Sequence, residues 1–141
     1  MDRFKGEEVH HKTIMVIDDD KIMREMLERF LTVSGYNVCT APNGIKLISN
    51  LKVNKPDLIL LDVMMSWVNG FELCRIMKAS DDFKDIPVIF ISGCNTKEDL
   101  EKGFAAGCAD YFTKPFDNFA LLERIQSLLG EGPKTAQEGR L

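Results

Sequence analysis

Of five short strand-like runs in this chain, four stop at a polar or charged residue. Residues 13–17 read TIMVI and run into Asp18, Asp19 and Asp20; residues 58–61 read LILL and end at Asp62; residues 88–91 read VIFI and end at Ser92. Two weaker runs, NVCTA at 37–41 and ADYFT at 109–113, complete the set, the last ending at Lys114 and Pro115. Three of the five are apolar throughout. A strand with one wet face alternates apolar and polar residues, so an uninterrupted apolar run belongs in a sheet covered on both faces.

Helical spacing fills the gaps. Ile22, Met26 and Phe30, with Met23 and Leu27, form an i, i+4 stripe that Gly35 can end. Residues 45–51 predict a shorter helix. Phe71, Leu73, Cys74, Ile76 and Met77 line a third. Thr96 can cap a fourth, running to about Ala106, with Asp99 three residues on as its reciprocal partner. Asp117 can cap a fifth, whose Leu121, Leu122, Ile125, Leu128 and Leu129 make a broad apolar face. Five alternations of strand and helix predict an α/β fold, a doubly wound parallel sheet with helices on both faces. At 141 residues the chain suits one such domain.

In open sheets of this kind, ligands bind beyond the carboxyl ends of the strands. Asp18, Asp19, Asp20, Asp62, Ser92 and Lys114 all fall there, so the fold gathers them at one edge. One such residue is explained by a turn or a helix cap; the whole group is not. Clustered carboxylates repel and call for a cation. With oxygen as the only ligand type, Mg²⁺ fits better than zinc. Carboxylates, Mg²⁺, a hydroxyl and an ammonium together suit a phosphoryl group, with Asp62 as a nucleophile able to form an acyl phosphate.

The remaining composition narrows the class. Asp and Glu outnumber Lys and Arg by 22 to 18, a net charge of −4, which argues against direct nucleic-acid binding. No apolar stretch approaches the roughly 20 residues of a membrane span, and the first residues lack a signal peptide's hydrophobic core. The expected location is cytoplasmic. Cys39, Cys74, Cys94 and Cys108 form no C-x-x-C pair and read as reduced, mostly buried thiols. His10 and His11 lie in a polar segment, residues 1–11, expected to be disordered, as is the polar tail 131–141.

The motifs VIDDD, LLDVMM, FIS and DYFTKPF, in this order, resemble the response-regulator receiver domain of two-component signalling, over roughly residues 12–130. The resemblance implies a flavodoxin-like fold with five strands in the order 2-1-3-4-5 and five helices. It implies that Asp62 accepts a phosphoryl group from a sensor histidine kinase or phosphotransfer protein. It casts Asp19 as the direct Mg²⁺ ligand, Asp18 as its partner acting largely through water, and Met64 as the donor of a backbone carbonyl. Asp20 lies beyond the family's acidic pair and has neither task. Ser92 and Lys114 match the groups that hold the phosphoryl oxygens, Tyr111 matches the aromatic that turns inward on phosphorylation, and Lys114–Pro115 is expected to be cis. The protein is then a switch that assists its own phosphorylation and dephosphorylation, more than a turnover enzyme. Its output partner is expected on the face of helix 4, strand 5 and helix 5, and the protein as a monomer or weak homodimer.

Departures from the family pattern are informative. Ser66 and Trp67 stand where Pro-Gly is common, and Asn69–Gly70 where Asp-Gly is common. Gly93 stands for the usual Ala after the hydroxyl residue, leaving a phosphoryl group more open to water. Ala109 replaces the first of two acids found in many DNA-binding members, removing one salt-bridge partner of their dimer. Three other readings compete. Asp18-x-Asp20 superficially fits a haloacid-dehalogenase-type phosphatase, but the late acidic pair of that class is missing. A receiver scaffold serving as a non-phosphorylated interaction module is disfavoured by an intact acidic set. A nucleotide-binding flavodoxin-like protein lacks its Gly-rich phosphate loop. Whether the chain is a whole single-domain regulator or part of a longer protein is left open.

Overall fold

The computed structural model describes residues 12–65 and 68–131. Ser66, Trp67, His10, His11 and the segments 1–11 and 132–141 lie outside the described residues. The chain alternates β1 (Thr13–Ile17), α1 (Lys21–Val33), β2 (Asn37–Ala41), α2 (Gly44–Val53), β3 (Leu58–Leu61), α3 (Gly70–Lys78), β4 (Val88–Ser92), α4 (Lys97–Ala105), β5 (Asp110–Thr113) and α5 (Asn118–Leu128). All strand pairs are parallel and the sheet order is β2-β1-β3-β4-β5. This is the doubly wound, flavodoxin-like order.

Alternation along each strand divides the core. Ile14, Val16, Leu58, Leu60, Ile89 and Ile91 face α1 and α5, where Leu27, Leu31, Leu121 and Ile125 are buried. Met15, Ile17, Ile59, Leu61, Val88 and Phe90 face the opposite side, against Leu47, Leu51, Leu73, Cys74 and Met77. The three central strands are therefore dry on both sides, which is why their sequences lack alternation.

Helix starts follow the sequence signals. Asp20 caps α1 by accepting from the amides of Ile22 and Met23, and Asp117 caps α5 through those of Phe119 and Ala120. Thr96 and Asp99 form the expected reciprocal capping box on α4. Such caps are each worth about 1 kcal/mol.

Three expectations need correction. Ile22 is 77% exposed, because the buried stripe of α1 runs through Leu27 and Leu31 and places Ile22 well round the helix from it. Only two of the four cysteines, Cys74 and Cys108, are buried; Cys39 and Cys94 are half-buried, and all four are free. Glu131 is ordered: its amide donates to the Gln126 carbonyl at 2.9 Å and its carboxylate accepts from the Tyr36 hydroxyl at 2.5 Å.

Candidate functional site

The carboxyl ends of β1, β3, β4 and β5 meet at one edge of the sheet, and each supplies one part of the site. Asp18 directly follows β1 and Asp62 directly follows β3; their amides donate to the carbonyls of Ala41 (3.2 Å) and Ile17 (3.0 Å) on neighbouring strands. Sheet hydrogen bonding thus carries one residue past each apolar run and delivers both carboxylates side by side. Asp18 is 2% and Asp62 7% exposed, among few buried polar groups of the described core.

Lys114 follows β5 and reaches both acids. Its ammonium lies 2.9 Å from Asp18 Oδ2 and 3.6 Å from Asp62 Oδ2. The Lys114–Pro115 bond is cis, as expected, and the Lys114 amide donates to the Ser92 carbonyl at 2.8 Å. Burial opposes the charge on Lys114, but the bond to Asp18 and the charges of Asp18, Asp62 and Asp20 outweigh it and raise the ammonium's pKa. One ammonium does not balance the acids. Burial first, then the negative charge of Asp18, lifts the Asp62 carboxyl to about 6, against the weaker pull of Lys114 and the Met64 amide.

Asp18, Asp19 and Asp62 can each offer an oxygen such that all lie within 4.8 Å of one another. An octahedral Mg²⁺ with oxygens at about 2.1 Å spans roughly 4 Å between opposite ligands, so these hard donors fit that ion in chemistry and size. Met64 sits two residues beyond Asp62, its amide donating to Asp62 Oδ1 at 3.3 Å. The loop carrying it folds back through a bridge between Met64 and Asn69, and the Gly70 amide donates to the Val63 carbonyl at 2.8 Å. A Cβ on Gly70 would lie 2.4 Å from the Asp62 carbonyl oxygen. Only glycine permits that approach, so Gly70 helps fix the peptide beside Asp62.

Ser92, 1% exposed, closes β4 and accepts from the Cys94 amide at 3.1 Å. Beyond it, nothing lies within 4 Å of where a Gly93 Cβ would be, in keeping with an open approach at that position. Tyr111 is already turned inward here, 8% exposed, with its hydroxyl donating to the Cys94 carbonyl at 2.6 Å. Burial pushes its phenol up to about 12. Asp110, left alone by the Ala109 substitution, pairs within the chain to Arg124 at 2.9 Å.

Asp20 stands apart from the carboxylates of Asp18, Asp19 and Asp62 and caps α1, a role its position before a helical run could have disclosed. Arg24 carries no sequence signal of this kind, yet its guanidinium donates to the Asp18 carbonyl at 2.7 Å.

The fold coincides with that of known proteins. Residues 14–126 match the response regulator receiver domain family. The transcriptional regulatory protein YvrH of Bacillus subtilis (strain 168) is 37% identical over 122 residues, covering 86% of this chain and 50% of its own length. Response regulator MprA of Mycobacterium sp. (strain KMS) is 37% identical over 125 residues, covering 85% of this chain and 54% of its own length. A crystal structure from Chloroflexus aurantiacus J-10-fl, assigned to the response regulators, superposes with a TM-score of 0.82 at 30% identity, covering 86% of this chain and 99% of that one. The chain belongs to the response regulator receiver domain family. It spans about half the length of the curated relatives it matches. Receiver domains are phosphorylation-dependent switches: they take a phosphoryl group from a histidine kinase on an aspartate, in a Mg²⁺-dependent reaction, and signal to an output partner. This membership sets aside the phosphatase and nucleotide-binding readings. Among the described residues no helix is long and apolar enough to cross a membrane.

Proposed function

We propose that residues 12–130 form a receiver domain in which Asp62 is the phosphoacceptor. The observation that carries this reading is the convergence of Asp18, Asp19 and Asp62 within ligand distance of one another, with Lys114 against two of them. Asp18, Asp19, Asp62 and the Met64 backbone carbonyl hold Mg²⁺. When bound, this ion offsets the acids' charge and draws negative charge from the phosphoryl oxygens. An Asp62 oxygen attacks phosphorus in line with the phosphohistidine of a sensor kinase or phosphotransfer protein. The P–N bond breaks and its electron pair returns to the imidazole. Lys114 leaves its present pairing to meet one phosphoryl oxygen, and the Ser92 hydroxyl donates to another. The same groups serve hydrolysis, through the open approach at Gly93.

The signal leaves through Ser92 and Tyr111, which share the Cys94 backbone as a neighbour. The face of α4, β5 and α5 is the output surface, its partner a protein and not nucleic acid. The chain acts in the cytoplasm, as a monomer or weak homodimer; the Asp110–Arg124 pair within the chain satisfies two charges that a tighter dimer could otherwise share. Labelling with acetyl phosphate and Mg²⁺ tests the site. Wild type should take one acid-stable, hydroxylamine-labile phosphoryl group, and Asp62→Asn none. Stoichiometric labelling of Asp62→Asn refutes the assignment.

A further inference from the structure

We propose that Arg24 is a positioning residue for the metal-binding carboxylates, acting through the backbone carbonyl of Asp18; this rests on the Mg²⁺ site proposed above. Arg24 lies in the first turn of α1, where its amide closes a helical hydrogen bond to the Asp20 carbonyl at 3.0 Å. Its side chain runs back past the helix start, the direction long helical side chains favour, and Nη1 reaches the Asp18 oxygen at 2.7 Å. A cation at a helix N-terminus opposes the helix dipole, and on α1 no acidic residue of the first turn joins the Asp20 N-cap carboxylate in offsetting it. The contact with the acidic edge compensates for that placement.

The consequence falls on Asp19. Asp18 is held at every polar atom: its amide by Ala41, its carbonyl by Arg24, Oδ1 by the Asp20 amide at 2.9 Å and Oδ2 by Lys114. Among the described residues the exposed Asp19 carboxylate has no such hydrogen bond or ion pair. Its place in the trio is therefore set through its backbone. The peptide joining Asp18 to Asp19 is planar, so fixing the Asp18 oxygen also fixes the Asp19 amide and the direction in which Asp19 leaves the chain. Arg24 is the side chain that fixes that oxygen. Its guanidinium also remains charged at any working pH and adds a second cation behind acids that Lys114 does not balance.

The test is Mg²⁺ binding by calorimetry on the full chain, with Arg24→Met, Arg24→Lys and Asp19→Asn beside wild type. Methionine keeps much of the apolar stem and removes the donors; lysine keeps the charge and one donor. Loss of an outer-sphere partner weakens metal affinity by about 10- to 100-fold. Arg24→Met should fall in that range and Arg24→Lys between it and wild type. In acetyl phosphate labelling, Arg24→Met should show a raised Mg²⁺ half-saturation and an unchanged plateau. A wild-type Kd in Arg24→Met, with or without a lower melting temperature, overturns the role of Arg24. Equal weakening in the methionine and lysine variants overturns it too. If wild type binds no Mg²⁺, or Asp19→Asn keeps full affinity, the metal-site reading itself fails, whatever Arg24 does.

Discussion

Asp62 shows what the fold does to a single residue. Placed one position past a fully buried strand, its carboxyl is removed from water and set beside Asp18, and its pKa rises to about 6. In the unfolded chain it returns to about 3.9. The folded state then holds the proton more tightly, so protonation of Asp62 favours folding. That contribution is full below about pH 4 and is lost as the pH rises through about 6, amounting to roughly 3 kcal/mol across the window. In metal-free buffer, the urea midpoint of wild type should therefore fall between pH 5 and 7.5. Asp62→Asn carries no charge to bury and should flatten the fall. If the two proteins lose stability in parallel, Asp62 is not the group responsible. The variant should also be more stable than wild type at pH 7.5, since it no longer holds a buried charge beside Asp18.

At the scale of elements, α4 and β5 meet through a glycine. A Cβ on Gly103 would lie 2.8 Å from Tyr111 Cδ2 and 3.4 Å from Phe90 Cδ2. Glycine within a helix costs about 1 kcal/mol relative to alanine, and here it opens the notch in which the Tyr111 ring sits, 5.7 Å from the Phe90 ring. Gly103→Ala should improve the helix and expel Tyr111, breaking its bond to the Cys94 carbonyl. NMR should then lose the contacts between the Tyr111 and Phe90 rings; their persistence would show that α4 yields instead. The notch was not legible in the sequence, where nothing singles out Gly103 within the predicted helix. The same limit explains Arg24, Gly70 and Ile22: each depends on which side of an element faces a neighbour, and a one-dimensional pattern fixes that only to within a helical edge. By contrast the strands, the caps at Thr96 and Asp117, and the convergence of Asp18, Asp62, Ser92 and Lys114 were legible. Each rests on a local rule, and the parallel topology turns the ends of those strands into one place.

The whole molecule is organised around that place, and its stability must reflect the charge gathered there. Each strand end that brings an acid to the edge also brings repulsion, and among the described residues only Lys114 opposes it by direct ion pairs with Asp18 and Asp62. A divalent cation held as proposed would bind the assembled trio and not the unfolded chain, where Asp18–Asp19 and Asp62 are far apart in sequence. Its binding energy therefore appears as folding energy. At a Mg²⁺ concentration about 100 times Kd, the gain is about 2.7 kcal/mol, or roughly 10 °C in melting temperature for a domain of this size. Calcium accepts looser geometry and more ligands, so at equal multiples of its own Kd it should give the same shift, which separates linkage from any special effect of one ion. Asp19→Asn should behave in the opposite way to an ordinary damaging substitution. With one acid fewer, its metal-free form should melt above wild type, and its shift on adding Mg²⁺ should largely vanish. An Asp19→Asn variant that melts below wild type without metal, or keeps the full shift with it, would mean that charge at this edge does not govern the stability of the fold.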